Sequence, residues 1–163
     1  MDVSWPLPSD VATWEGSWVV LPGEALPVDR WVAVQRNARG DVGSVELAQI
    51  ENGEVSVQLS NTGAWMLERD TVPPKVLPYH SASPLVATGD AVWFVDDALS
   101  GVRAIELRFD GRWARVVWDP KRNMVTYEAS DGVHARGQSV KTMLTVEDEV
   151  GNVHVWEGGL VWP

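Results

Sequence analysis

The chain has 163 residues, enough for one domain to bury a core without staples, and its 45% hydrophobic and 22% charged content is that of a soluble globular protein. A formal charge of −10 argues against nucleic acid or an anionic membrane as partner, because phosphate contacts need clustered Lys and Arg. The absence of cysteine excludes disulfides, thiolate metal sites and cysteine nucleophiles, and no apolar stretch approaches the roughly 20 residues that span a bilayer.

The first ten residues, MDVSWPLPSD, carry neither a basic nor an apolar signal-peptide region, so the expected location is the cytoplasm. Helical spacing is confined to residues 9–14, where Ser9 can cap one short turn. From there on the apolar residues recur with period two, the strand signal. Strands are predicted over 18–21, 31–36, 44–51, 54–60, 64–69, 91–95, 102–109, 112–118, 124–130, 142–147 and 153–156. Between them lie Asn52-Gly53, Asn61-Thr62-Gly63, Asp110-Gly111, Lys121-Arg122-Asn123 and Gly151-Asn152. Asn-Gly and Asp-Gly tolerate positive φ and so suit tight hairpins.

Two hairpins can be registered from sequence. A two-residue loop at Asp110-Gly111 pairs Phe109 with Arg112, Leu107 with Ala114, Ile105 with Val116 and Arg103 with Trp118, an apolar face; Glu106–Arg115 and Arg108–Trp113 occupy the other. The Asn52-Gly53 hairpin gathers Ala48, Ile50, Val55, Val57 and Leu59 on one face. Successive hairpins with no βαβ rhythm predict an all-β, antiparallel single domain over residues 1–163, either a barrel or a β-sandwich. Residues 71–90 stand apart: Pro73, Pro74, Pro78 and Pro84 exclude a central strand, and so long a connection is a candidate lid.

The pattern Trp14-x-Gly16-x-Trp18 ahead of the first long strand, followed by Asp110-Gly111-x-x-x-Arg115 and Val116-Val117-Trp118, resembles the calycin superfamily. The nearest in style are its intracellular, phycobilin-lyase-like lipocalin relatives. The resemblance implies an up-and-down β-barrel in which Trp18 closes one end against a late arginine, Arg103 or Arg115. It also implies a ligand held in the interior.

Ten tryptophans are the main compositional anomaly. Large core residues account for most of them, yet ten exceed what a small core needs, so some are expected at a pocket or a partner. Trp31, Trp65, Trp93 and Trp118 are the candidate pocket residues, because each sits on a strand with apolar neighbours two positions away. His80, His134 and His154 are too scattered for a metal-ligand motif, and no metal site is expected. His80, beside Tyr79 in the proline-rich segment, is the one candidate general acid or base. Asp96-Asp97 and Glu147-Asp148-Glu149 are adjacent acids that point to opposite faces of a strand, the second cluster reading as a solvated hairpin tip. Arg39-Gly40-Asp41 reads as a turn.

The leading expectation is a barrel that holds an apolar or aromatic small molecule by burial and stacking, with Arg103 orienting any acid group. As an enzyme it would shape an unsaturated substrate as cyclases and lyases do, with Tyr79 and His80 at the lid; the residues name no cofactor. The alternative is an acidic protein-interaction module, an inhibitor, immunity protein or assembly subunit, anchored by exposed tryptophans such as Trp113, Trp156 and Trp162.

Overall fold

The computed structural model describes residues 5–6, 17–22, 30–51, 54–61, 63–81, 83–132 and 136–162. The predicted turn at 9–14, the Asn52-Gly53 loop, Gly16 and His134 lie outside them, as does the side chain of Trp18. The described residues form strands and one 3-10 turn, so the all-β antiparallel expectation is met. No helix among them is long and apolar enough to cross a membrane. The closed barrel is not what they build. Three antiparallel sheets stay open, which agrees with the sandwich alternative.

By contacts the chain divides into two compact units, Met1–Val72 with Glu149–Gly151, and Pro73–Asp148 with Asn152–Pro163. The first unit holds β1 (Trp5–Pro6), β2 (Ser17–Pro22), β3 (Trp31–Arg36), β4 (Val42–Glu51), β5 (Glu54–Leu59) and β6 (Trp65–Arg69) in the order β1-β6-β3-β4-β5-β2. The ten-residue β4 spends its first half on β3 and its second on β5, so one strand serves both halves of the sheet. The register Glu51↔Glu54, Ile50↔Val55, Ala48↔Val57 is the one a two-residue loop dictates. Trp31, Ala33, Trp65 and Leu67 from one half meet Val55, Val57 and Leu59 from the other in a single core, with Ala48 and Ile50 against it. Burying each valine or leucine of this kind contributes roughly 1.5–3 kcal/mol. The Arg39-Gly40-Asp41 segment is a turn, closed by the Asn37 carboxamide oxygen, which accepts from Arg39 N and Asp41 N.

The second unit is a sandwich of two four-stranded sheets that share one core. One sheet runs β10 (Arg112–Ala114), β9 (Val102–Phe109), β13 (Ser139–Asp148), β14 (Val153–Val161). The other runs β11 (Val117–Asp119), β12 (Met124–Tyr127), β8 (Ala91–Asp96), β7 (Lys75–Pro78). Leu107, Phe109, Leu144, Val146 and Leu160 from the first sheet pack with Val76, Trp93, Val95, Val125 and Tyr127 from the second. Asp110 and Gly111 both take positive φ, 50° and 79°, as a tight hairpin turn of matching twist requires, and Phe109↔Arg112, Arg108↔Trp113 and Leu107↔Ala114 pair as predicted.

The hairpin then departs from the prediction. It stops at Ala114, the chain crosses to the other sheet through Arg115 and Val116, and Trp118 pairs with Val125 instead of Arg103. Period two continues unbroken through the crossing, so the switch leaves no mark in the apolar pattern. The proline-rich segment contributes β7 at a sheet edge, where Pro78 ends the strand without breaking a ladder. Gly158, Gly159, Leu160 and Val161 form the end of β14, and Leu160 and Trp162 seat in the core of their own unit.

Candidate functional site

Trp31 and Trp65 come together in the first unit's core, each about 2% exposed. Trp93, at 0%, lies in the second unit's core with its ring edge-on to Trp156, 5.6 Å between centroids. Trp118 is half-buried against the same core. Each of the four packs against its unit's hydrophobic core. Arg103 is exposed and ion-paired to Glu147. Arg115 pairs with Asp131 at 3.1 Å and with Glu128 at 4.0 Å. Tyr79 and His80 are exposed neighbours: the Tyr79 ring stacks on Phe94 at 5.6 Å and meets the His80 ring edge-on at 4.8 Å. Of the three tryptophans expected on the surface, Trp113 is 66% exposed, Trp156 is half-buried and Trp162 is buried.

The acidic pairs also resolve. Asp148 is not at a solvated tip. It is fully buried and accepts from the Asn152 backbone N and from its Nδ2, each at 2.7 Å, which closes the β13–β14 turn. The Asp97 carboxylate accepts from Leu99 N and Gly101 N and so shapes the β8–β9 loop.

A hollow of about 740 Å³ lies at the β10 edge of the second unit. Phe109, Ala114, Tyr127 and Val140 give it apolar surface; Asp110, Arg112, Arg115, Asp131 and Gln138 give it polar surface; Trp113 adds an indole. The local sequence explains each wall. The Asp110-Gly111 turn reverses the chain so that Arg112 stands across from Phe109. The 3-10 turn at Ala129–Asp131 carries Asp131 to Arg115, and Asp90 anchors that turn by accepting from Ala129 N at 2.9 Å. Beneath the hollow, Phe109, Tyr127 and Trp162 meet edge-on at centroid distances of 4.8, 5.4 and 6.1 Å, a rigid aromatic base.

Electrostatics divide the two arginines. Arg115 is engaged by two carboxylates, whereas Arg112 has no carboxylate within ion-pair distance among the described residues. Asp110 is committed elsewhere, its Oδ1 accepting from Lys141 N at 2.8 Å. Burial pushes the Tyr127 phenol above its ordinary range, and the nearby Asp131 charge adds to the effect, so Tyr127 presents a neutral hydroxyl. Sequence reading missed this hollow. Its walls come from 109–115, 127–132 and 138–140, stretches that only the sheet crossing assembles. No protein-family model matches the chain, and no curated protein matches it in sequence.

Proposed function

We propose that the chain is a binding module that takes an apolar or aromatic small molecule into the hollow at the β10 edge. The single observation that carries this reading is the pairing of an aromatic base with an arginine, Arg112, that has no carboxylate partner among the described residues. A flat ligand would lie against the exposed margins of Phe109 and Tyr127, and an acid group on it would reach Arg112. Relative to the sequence expectation, the site moves from the interior to the rim and the orienting arginine from Arg103 to Arg112. The volume of about 740 Å³ falls in the range of ordinary ligand pockets, about 300–1,000 Å³. Kinship with the calycins remains part of this proposal, resting on Gly16-x-Trp18 and the antiparallel hairpins. So does a cytoplasmic location, for which the absence of cysteine is the support.

The test is a titration with aromatic carboxylates, fatty acids and tetrapyrroles, followed by intrinsic fluorescence. Saturable quenching that Trp113→Phe diminishes, with an affinity that Arg112→Gln lowers about tenfold, is the expected result. Quenching insensitive to both substitutions, or none at all, would refute the site.

A second reading, a protein partner, is favoured by the outer face of the β7–β8–β12–β11 sheet. Leu77, Phe94 and Met124 stand in one row across three strands, with Tyr79 stacked on Phe94 and Val117 on the neighbouring row. Leu77, Tyr79, Phe94 and Val117 are exposed. Tyr79→Ser with Phe94→Ser would abolish capture of such a partner and leave ligand quenching intact.

A further inference from the structure

The two sheets of the second unit end in four edge strands, and three of them are guarded against pairing with another chain. β10 and β11 are three residues long, and β10 carries Arg112; β7 is four residues long and carries Lys75 and Pro78. Short length, basic residues and proline are the usual devices that blunt a sheet edge. β14 is guarded only by a single charge, Glu157. It is nine residues long, reads VHVWEGGLV without Lys, Arg or Pro, and pairs with β13 from Ser139↔Val161 to Glu147↔Val153 without a bulge. Val153, Val155 and Val161 on its outer face are exposed, at 48%, 48% and 59%. Among the described residues β13 is its one strand partner.

We infer that β14 is a strand-addition site for an extended, cationic peptide segment of another protein, independent of the hollow at the β10 edge. The side chains on the strand specify the occupant. An added antiparallel strand sets its outward residues opposite Val161, Gly159, Glu157, Val155 and Val153. Valines facing valines extend the apolar surface. A lysine facing Glu157 meets a carboxylate whose present partner, Lys141 Nζ, is 3.7 Å away with both groups exposed. At Gly159 a Cβ would touch nothing within 4 Å, and a hollow of about 440 Å³ opens there between Ser139, Lys141 and Glu157. A large side chain on the added strand fills it.

A second copy of this chain fits less well. Antiparallel self-pairing about the midpoint of Val153–Val161 sets Glu157 against Glu157, and each copy brings a charge of −10. The overall charge instead draws a basic partner.

The test uses the full chain and one probe, the blocked peptide Val-Thr-Phe-Thr-Lys-Thr-Val-Thr-Val, which places Phe on Gly159 and Lys on Glu157. Binding is read by fluorescence anisotropy of the labelled peptide and by amide hydrogen exchange. The expected result is saturable binding with slowed exchange along β14, lost on N-methylation of alternate peptide amides and lost in the Val153→Lys/Val155→Lys variant. Glu157→Lys should weaken the probe about threefold, and a probe with Glu for Lys should recover it. No binding, binding that survives N-methylation, or protection elsewhere than β14 would overturn the proposal. So would a concentration-dependent dimer, seen by sedimentation without peptide, that the two lysines dissolve.

Discussion

Two adjacent glycines on β14 give opposite expectations for the same substitution. At Gly158 a new Cβ would stand 2.5 Å from Cη2, 2.8 Å from Cζ2 and 3.3 Å from Cζ3 of Trp156, whereas at Gly159 it meets nothing within 4 Å. Ordinary carbon contacts lie near 3.5–4.0 Å, so the Trp156 ring would have to recede by about 1 Å. It has little freedom to do so, being half-buried against the core and edge-on to the buried Trp93 at 5.6 Å. Overpacking of this kind costs about 1–3 kcal/mol, offset by about 0.4–1 kcal/mol from the reduced entropy of the unfolded chain. Gly158→Ala is therefore expected to destabilise the protein by about 1–2 kcal/mol, and Gly159→Ala to be neutral or slightly stabilising. Urea denaturation followed by tryptophan fluorescence measures both, and near-UV circular dichroism reports the Trp93–Trp156 pair. Equal stability of the two variants with an unchanged near-UV spectrum would refute the packing argument.

Thr142 is fully buried and its hydroxyl oxygen has no hydrogen-bond partner among the described residues, so Thr142→Val, which keeps the shape, should raise stability by about 1 kcal/mol in the same urea assay. The Asp90 carboxylate is held below its ordinary 3.8, first by Ala129 N–H and then by the Thr88 hydroxyl. Its contribution is complete above that value and is lost as pH falls through the depressed one. Asp90→Asn should thus cost about 1 kcal/mol at neutral pH, with the deficit closing below about pH 3.8 in acid titrations. Tyr127 runs the other way: its pKa is raised above 10.0, so its contribution is complete below pH 10 and is lost as pH rises through the raised value. Tyr127→Phe should remove that alkaline loss, which thermal melts between pH 9 and 11.5 or so would register.

What the sequence disclosed was local. Asp110-Gly111 demands positive φ at two consecutive residues, so the turn, its register and the exposure of Trp113 follow from four neighbouring residues. The Ala48–Leu59 apolar face was legible for the same reason, since a two-residue loop fixes every pair beyond it. Prolines placed residues 75–78 away from a central strand, and β7 is an edge. Sheet membership was not legible. Ala114, Val116 and Trp118 keep one alternation while the chain passes from β9's sheet to β12's, because both sheets turn an apolar face to the same core. Apolar neighbours two positions away mark Trp31, Trp65 and Trp93 as inward-facing, and all three are buried in their cores, but the same pattern does not distinguish a core from a pocket wall. The burial of Asp148 was hidden by its acidic neighbours Glu147 and Glu149; Asn152, four residues on, was the available signal, a side chain able to donate back across the turn.

Backbone NMR tests most directly whether the β10-edge hollow binds a small aromatic or apolar molecule. Amide shifts would be followed while a saturating aromatic carboxylate is titrated into the labelled protein. Dose-dependent shifts concentrated at residues 109–115, 127–132 and 138–140, with Arg112→Gln weakening the response, are expected. Shifts confined to the Leu77–Tyr79–Phe94 face, or uniform silence at 109–115 with every ligand, would contradict binding there.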